Sequence, residues 1–214
     1  MSSLAHQLIA TKEAAAQHLP PEVAATFTAQ QATLAATNAP TLAIGTALPE
    51  TPLLTATGSR ITLEQLLDGS PAVLVFYRGG WCPYCNVALR SYEADLLPDL
   101  EALGVRLIAI SPQQPDQSLS TQEKADLTFA VVSDPENTLA RSLGILDDGS
   151  DEVRAAQARL GLDLAQVNDG GDYRLPMPTV AIIDSHRRVR WADVHPDYTT
   201  RTQPETIIEA VKAL

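Results

Sequence analysis

The chain has 214 residues, the size of one domain or of one domain with an appendage. Its 26 acidic residues outnumber its 15 basic residues and give a formal net charge of −11, and no basic run is longer than the pair Arg187 and Arg188, so we do not expect a nucleic-acid partner. The longest apolar runs fall far short of the ~20 residues that a membrane-spanning helix needs. Residues 1–20 lack the apolar segment of a signal peptide. We therefore expect a cytoplasmic protein with no membrane partner.

Residues 1–37 are rich in alanine and polar residues, with one break at Pro20 and Pro21. They predict two helices, over residues 2–19 and 21–37, and the second begins with the proline that a first helical turn accepts. The apolar stripes of both helices are thin, and sparse stripes usually cover the edge of a core. We therefore predict that residues 1–44 form a helical arm and a connector. An arm packed on the domain or on a second subunit is favoured over a specific binding element.

Residues 45–214 alternate between strand and helix patterns, which is typical of an α/β domain with helices on both faces of a mainly parallel sheet. The predicted strands are residues 53–56, 73–77, 105–110, 129–132, 180–183 and 189–194. The predicted helices are residues 62–67, 83–103, 116–125, 135–143, 151–160 and 204–214. Only residues 184–188 join the last two strands, and since these are too few for a crossover helix, an antiparallel hairpin is expected.

Two further patterns refine this domain. In the helix predicted over residues 83–103, five apolar residues recur at spacings of three and four and predict one buried face. These residues are Leu89, Tyr92, Leu96, Leu100 and Leu103. The polar, acidic stretch at about residues 147–172 is too short and too polar to form a hydrophobic core of its own. We therefore predict that it is an insertion rather than a second domain.

The two cysteines of the chain, Cys82 and Cys85, stand at the start of the predicted helix over residues 83–103. A Cys-x-x-Cys pair between a strand and a helix is typical of a redox site. Because proline suits the first helical position, Pro83 places Cys82 at the N-cap and Cys85 one turn further in. There the sulfur of Cys82 can accept backbone N–H groups, and the helix dipole favours an anion. We therefore expect a lowered pKa for Cys82 and a disulfide that closes with Cys85.

Other uses of the cysteine pair stay open at this point. A zinc site would need two more ligands, and because none of the four histidines is paired at a ligand spacing, we expect no metal. These histidines are His6, His18, His186 and His195. The pair could also consist of buried structural cysteines. Further along, Met177-Pro178-Thr179 precedes a predicted strand, where proline is accepted either as a strand-start residue or as a cis turn.

Residues 76–85, which include Arg78, Trp81 and the Cys82-Pro83-Tyr84-Cys85 motif, resemble the active-site segment of the peroxiredoxin-like (alkyl hydroperoxide reductase/thiol-specific antioxidant) branch of the thioredoxin superfamily. Further matches lie at residues 109–113, 118–121, 127–129, 133–134 and 197–199. The resemblance extends over about residues 45–214. It implies an α/β, thioredoxin-like fold with a central mixed sheet flanked by helices, and an N-terminal helical extension.

The resemblance implies two different nucleophiles. Peroxiredoxins carry Pro-x-x-x-Thr/Ser-x-x-Cys, and this pattern puts the peroxide-reactive cysteine at Cys85, with Cys82 at the Thr/Ser position and Arg78 at the proline. The position of the family's active-site arginine corresponds to Pro178 or to a residue near it, so this chain has no arginine there. Arg174 or Arg78 would have to take its role.

The same segment is also similar to thioredoxins. The motif from Trp81 to Cys85, together with residues 177–179, implies that the nucleophile is Cys82 and that Pro178 is the cis-proline. Pro83 and Tyr84 form the glutaredoxin dipeptide. The N-cap position therefore favours Cys82 as the thiolate, whereas the peroxiredoxin pattern favours Cys85.

The resemblance implies a thiol-dependent peroxidase without a cofactor, which reduces hydrogen peroxide or an alkyl hydroperoxide and is restored by thioredoxin or glutaredoxin. A homodimer is also implied. Support for the two cysteines is expected from Arg78, Trp81, Pro83, Tyr84, Pro178 and Thr179. Arg78 is either an added cation near the thiolate or an exposed loop arginine. The alternatives are a disulfide oxidoreductase and a non-enzymatic redox sensor that uses the same pair.

Overall fold

The computed structural model describes residues 3–214, apart from the side chains of residues 116–120. The strands are β1 (Pro52–Thr55), β2 (Arg60–Thr62), β3 (Ala72–Phe76), β4 (Arg106–Ser111), β5 (Ala130–Ser133), β6 (Leu146–Asp147), β7 (Leu175–Pro176), β8 (Thr179–Ile183) and β9 (Val189–Val194). The α-helices are α1 (Leu4–His18), α2 (Pro21–Ala35), α3 (Leu63–Leu67), α4 (Pro83–Ser91), α5 (Leu97–Ala102), α6 (Pro115–Lys124), α7 (Thr138–Ser142), α8 (Asp151–Arg159), α9 (Leu164–Val167) and α10 (Pro204–Lys212). The predicted helix start at residue 2 and the side chains matched at residues 118–120 lie outside the described residues.

The main sheet is mixed. Its strands follow the order β2-β1-β5-β4-β3-β8-β9, in which β3, β4 and β5 run parallel and the other neighbours run antiparallel. The mixed sheet and the β8–β9 hairpin are confirmed, but the expectation of a mainly parallel sheet was wrong. The reason lies in the connections: helices join β3 to β4 and β4 to β5, whereas short turns join β1 to β2 and β8 to β9.

Strand β3 is buried along its whole length and separates two hydrophobic cores. Val73, Val75 and Tyr77 belong to the core that contains α4, whereas Leu74 and Phe76 belong to the opposite one. This division follows from the alternation of side chains along a strand. The chain therefore leaves β3 on the face where α4 packs, and the cysteine motif begins a few residues later.

The helix predicted over residues 83–103 is interrupted. Helices α4 and α5 are separated by a π-helical turn over Tyr92–Leu96. Pro98, in the first turn of α5, has no N–H to offer the preceding turn, which accounts for the irregular hydrogen bonding there. Four of the five residues of the predicted face are buried, whereas Leu103 is 44% exposed and was predicted wrongly.

The N-terminal arm packs on the rest of its own chain. Helix α1 contacts α4, and α2 contacts α8. Leu4, Leu8 and Leu34 belong to the core that contains α4, and Glu22 pairs with Arg159 of α8 at 2.7 Å. The boundary at residues 44 and 45 stays a prediction, but these contacts place both arm helices against the domain.

The stretch of residues 147–172, whose status as an insertion stays a prediction, contains α8, as predicted, and also α9, which the sequence patterns did not indicate. Strands β6 and β7 pair at its two ends through Leu146 and Pro176. Helix α8 lies against α2 of the arm. Within the described residues, no helix is long and apolar enough to cross a membrane.

Candidate active site

The cysteine motif begins α4 as the proline predicted. Cys82 is the N-cap residue, Pro83 stands in the first turn, and the N–H of Cys85 donates to the carbonyl of Cys82 at 3.1 Å. Both thiols are free, and the exposed fraction is 2% for Cys82 and 0% for Cys85. The two cysteines therefore share a buried site at one helix end.

The sulfur of Cys82 does not cap the helix. It accepts no backbone N–H group, and the two sulfurs hydrogen bond to each other instead. That hydrogen bond, followed by burial and by the negative charge of Cys85, raises the pKa of Cys82 well above its ordinary value. The expectation of a lowered pKa for Cys82 was therefore wrong: its sulfur is buried and serves as a donor.

Cys85 lies in the opposite electrostatic environment. Burial alone would raise its pKa, but the Cys82 thiol, the Arg201 guanidinium and the backbone N–H of Arg78 more than offset burial and lower the pKa to about 5. The Nη2 atom of Arg201 lies 3.1 Å from the Cys85 sulfur. At neutral pH this arrangement favours a thiolate at Cys85.

Arg201 is the functional residue that the sequence patterns missed. Its exposed fraction is only 7%, and its Nη1 atom donates to the carbonyls of Tyr198 and Thr200, both at 2.6 Å. The guanidinium is therefore fixed with Nη2 directed at the sulfur. The one signal in the sequence was the match at residues 197–199, just before Arg201, but nothing in it indicated that this segment folds over the cysteines.

Arg78 is buried, so the alternative of an exposed loop arginine was wrong. Its guanidinium lies over two aromatic rings, 4.0 Å from the ring centroid of Tyr198 and 5.3 Å from that of Trp81. Tyr84 packs edge-to-face on Tyr198, with ring centroids 6.0 Å apart. Arg78 thus lies among aromatic rings beside the cysteines, and its backbone N–H rather than its guanidinium bonds to Cys85.

Arg174 was the other residue that could replace the family's active-site arginine. Its guanidinium pairs with the carboxylate of Asp172 instead.

The turn between β3 and Cys82 depends on Gly80. Its N–H donates to the buried side chain of Gln113, and its carbonyl accepts from Asn86 of α4 at 2.8 Å. A Cβ atom on Gly80 would collide with the hydroxyl of Thr121. Because Gly80 has no side chain, the turn can lie close to α6. The hydrogen bond from Asn86 to the Gly80 carbonyl then fixes the first turn of α4 against this turn.

Pro178 directly precedes β8. No peptide bond among residues 3–214 is cis, so the thioredoxin-like cis-proline was wrong. Its carbonyl accepts the N–H of His195 at 2.8 Å, and the next residue, Thr179, pairs with Phe76 in the sheet. Pro178 is thus a strand-start proline, which leaves the ladder intact. The Thr179 hydroxyl donates to the Met177 carbonyl, and a catalytic role for Pro178 or Thr179 stays a prediction.

A cavity of about 440 Å³ opens onto this site. Cys82, Arg78 and Trp81 lie on its wall, whereas Cys85 does not, so the Cys82 side faces any incoming molecule. The described residues include no cluster of three or more histidine, cysteine or acidic side chains suited to a metal ion. The reactive groups that this arrangement brings together are the two sulfurs.

The two thiols should titrate separately. One thiol should ionise with a midpoint near pH 5, because the pKa of Cys85 is lowered to about 5, and the other only above the ordinary cysteine value of about 8.5. Thiolate ultraviolet absorbance across pH measures both steps. Cys85→Ser should remove the first step, whereas Cys82→Ser should keep it, since a hydroxyl can still donate to the anion. Two overlapping steps near the ordinary value would contradict this assignment.

The chain is 28% identical over 156 residues, 69% of its length, to a protein named peroxiredoxin from Treponema denticola. It is 27% identical over 104 residues, 49% of its length, to a protein named as a bcp peroxiredoxin from Haemophilus influenzae. The matched segments span 62% and 66% of these two relatives.

A solved structure of reduced Prx3 from Vibrio vulnificus in complex with hydrogen peroxide superposes with a TM-score of 0.63. The match covers 80% of this chain and 99% of that chain at 22% identity, which shows a shared thioredoxin-like fold. The model of the AhpC/TSA family matches residues 44–192. Because this segment is well over half of the 214 residues, the chain belongs to the AhpC/TSA family.

Proposed function

We propose that the chain is a thiol-dependent peroxidase in which Cys85 attacks the hydroperoxide and Cys82 resolves the product. The observation that carries this proposal is the buried Cys85 sulfur, held by Arg201 at 3.1 Å and by the Cys82 thiol. Only a thiolate is a strong nucleophile, and the Cys82 thiol and the Arg201 guanidinium stabilise its charge here.

The first step is a two-electron transfer. The Cys85 thiolate attacks the terminal oxygen of R–O–O–H, an S–O bond forms while the O–O bond breaks, and the alkoxide leaves and takes up a proton to become an alcohol. Cys85 is then a sulfenic acid. Arg201 touches the reacting sulfur, and its fixed charge stabilises the negative charge that spreads from sulfur to oxygen.

The second step uses the neighbouring thiol. The Cys82 sulfur attacks the sulfenic sulfur of Cys85, the Cys82–Cys85 disulfide forms, and one water molecule leaves. A dithiol reductant of the thioredoxin or glutaredoxin class then exchanges with the disulfide. We infer that it attacks at Cys82, because this sulfur lies on the cavity wall.

The arrangement also accounts for two departures from the family pattern. Cys82 stands at the family's Thr/Ser position, and its thiol donates to the Cys85 sulfur as a hydroxyl would. Arg201 supplies the cation that is missing near Pro178. The disulfide oxidoreductase alternative is less favoured, because it needs Cys82 as the thiolate and its pKa is raised instead. The homodimer and the cytoplasmic location stay predictions, and light scattering on the purified protein would test the first.

Single cysteine variants should separate the two roles. In Cys82→Ser the thiolate keeps a donor, so one equivalent of hydrogen peroxide should react rapidly and a sulfenic acid should be trapped by dimedone, with no turnover. In Cys85→Ser the rapid phase should be lost. Stopped-flow kinetics and mass spectrometry measure both outcomes.

The reverse pattern, with the trapped sulfenic acid on Cys82, would exchange the two roles. A wild-type rate no faster than that of free cysteine thiolate would remove the peroxidase proposal. Formation of the disulfide without turnover by any dithiol reductant would leave the redox sensor as the function.

Arg201 should control both the rate and the pH profile. Arg201→Met removes a fixed cation from the reacting sulfur, so the second-order rate with peroxide at pH 7 should fall by roughly 10²–10³-fold, as for one lost oxyanion donor. The pKa of Cys85 should rise, because a lowering influence is lost, and the midpoint of the rate against pH should move upward with it.

Arg201→Lys should recover part of the rate, since it restores a charge but not the planar fork. Arg190→Met is the matched control: Arg190 is half-exposed in a surface ion pair with Asp184, so its loss should leave the rate within about two-fold. A purely structural role for Arg201 would lower the fraction of folded protein without moving the pH midpoint, and that result would count against the assignment.

A further inference from the structure

The segment that carries Arg201 depends on side-chain contacts for its position. Residues 195–203 lie between β9 and α10 and form no helix or strand. The regular hydrogen bonding of a helix or a sheet therefore does not fix the backbone on either side of Arg201. Its guanidinium is nevertheless held 3.1 Å from the Cys85 sulfur in a buried place. Other contacts have to keep this segment against the cysteines.

His195 contacts the hydroxyl groups of both neighbours of Arg201. Its Nδ1 atom lies 2.7 Å from Thr200 Oγ1, and its Nε2 atom lies 3.2 Å from Thr202 Oγ1. The same Nε2 atom lies 3.0 Å from the Asp193 carboxylate, which also accepts from the Thr202 hydroxyl at 2.9 Å. One imidazole and one carboxylate thus hold the residue before Arg201 and the residue after it.

The hydrogen-bond roles in this group follow from the carboxylate. The hydrogen bond from His195 lowers the pKa of Asp193 and outweighs the opposing effect of burial. Asp193 is therefore ionised at neutral pH and can only accept, so the Nε2 atom of His195 carries a proton. The Nδ1 atom then faces the Thr200 hydroxyl. Because both ring nitrogens are engaged, the imidazole cannot rotate without breaking its hydrogen bonds.

The β8–β9 hairpin is the rigid base of these contacts. Asp193 belongs to β9 and is paired with Val180 of β8 in the antiparallel ladder. The N–H of His195 donates to the carbonyl of Pro178 at 2.8 Å, directly before β8. Strand β8 also pairs with β3, the strand that leads to the cysteine motif. Asp193 and His195 are thus fixed to the same sheet as the cysteines.

Thr200 connects His195 to the guanidinium. Its hydroxyl contacts the imidazole, and its carbonyl accepts from Nη1 of Arg201 at 2.6 Å. Thr200 is exposed, so the core does not hold it in place. Thr202 is buried and has a second support, because the Tyr92 hydroxyl donates to its carbonyl at 2.8 Å. The position of Thr200, and with it that of the guanidinium, therefore depends most on His195.

On the basis of the peroxidase function proposed above, we propose that His195 is a positioning residue for Arg201. Supported by Asp193, its ring holds the hydroxyls on both sides of Arg201, and the guanidinium thereby stays at the reacting sulfur. The imidazole takes no part in bond making. The family-model match ends at residue 192, so Asp193, His195 and both threonines lie beyond the matched segment.

Loss of the imidazole should weaken the contact between Arg201 and Cys85. In His195→Ala the second-order rate with hydrogen peroxide at pH 7 should fall by about 10- to 100-fold, as for a small misplacement of a group at the reacting centre. The pH midpoint of Cys85 ionisation, followed by thiolate absorbance, should move upward. The matched control is His186→Ala, because His186 is exposed in the turn between β8 and β9, and its rate should stay within about two-fold of wild type.

A double-mutant cycle tests whether His195 acts through Arg201. In the Arg201→Met background, His195→Ala should change the rate by at most about two-fold and should leave the Cys85 midpoint where Arg201→Met alone puts it. An equally large effect of His195→Ala in both backgrounds would show that the imidazole acts on the sulfur independently of Arg201, and this result would overturn the proposal.

A second variant guards against misfolding of His195→Ala. Combined Thr200→Val and Thr202→Val keeps the imidazole and removes only the two hydroxyls, and it should also move the Cys85 midpoint upward. A lower folded fraction by circular dichroism with an unmoved midpoint in both variants overturns the positioning role and leaves the peroxidase intact. The expected shifts in a protein that reduces peroxide no faster than free cysteine thiolate support the positioning role and remove the peroxidase instead.

Discussion

The contact between the Arg201 guanidinium and the Cys85 sulfur is the interaction on which the site depends. Both groups are almost completely buried, and a charge without a partner in such a place is strongly destabilising. The two groups therefore stabilise each other: the cation lowers the pKa of Cys85, and the thiolate raises that of Arg201. The remaining contacts serve this pair, since the carbonyls of Tyr198 and Thr200 fix the guanidinium and the Gly80 turn fixes the start of α4.

Much of the local structure was predictable from the sequence because it depends on neighbouring residues. The six predicted strands and the hairpin over residues 179–194 follow from runs of β-branched residues and short turns. Pro83 placed the helix start and hence the N-cap at Cys82. The predictions that failed concern features that depend on residues far apart in the sequence. The antiparallel direction of β8 beside β3 depends on the path that the chain takes before β8, and the ionised sulfur depends on a residue 116 positions away from Cys85.

Cys82 was correctly placed at the N-cap of α4, but the negative charge predicted for its sulfur from that position was wrong. An N-cap sulfur is well placed to accept backbone N–H groups, and that argument favours Cys82 as the anion. In the structure the sulfur of Cys85 receives the stronger donors, including a guanidinium that no argument from the helix alone could supply. Cys82 then becomes a donor, much as the Thr/Ser of the family pattern would be. The family resemblance thus agrees with the proposed role of Cys85, whereas helix geometry alone favours the other sulfur.

Family membership rests on residues 44–192, and this segment contains both sulfurs. Arg201 lies beyond its end, and the arm helices lie before its beginning. Both sulfurs thus lie within the segment that matches the family, while Arg201 and the arm helices come from flanking stretches of the chain. A substitution in a flanking stretch can therefore change the acidity of a sulfur that the matched segment carries, without any change in that segment.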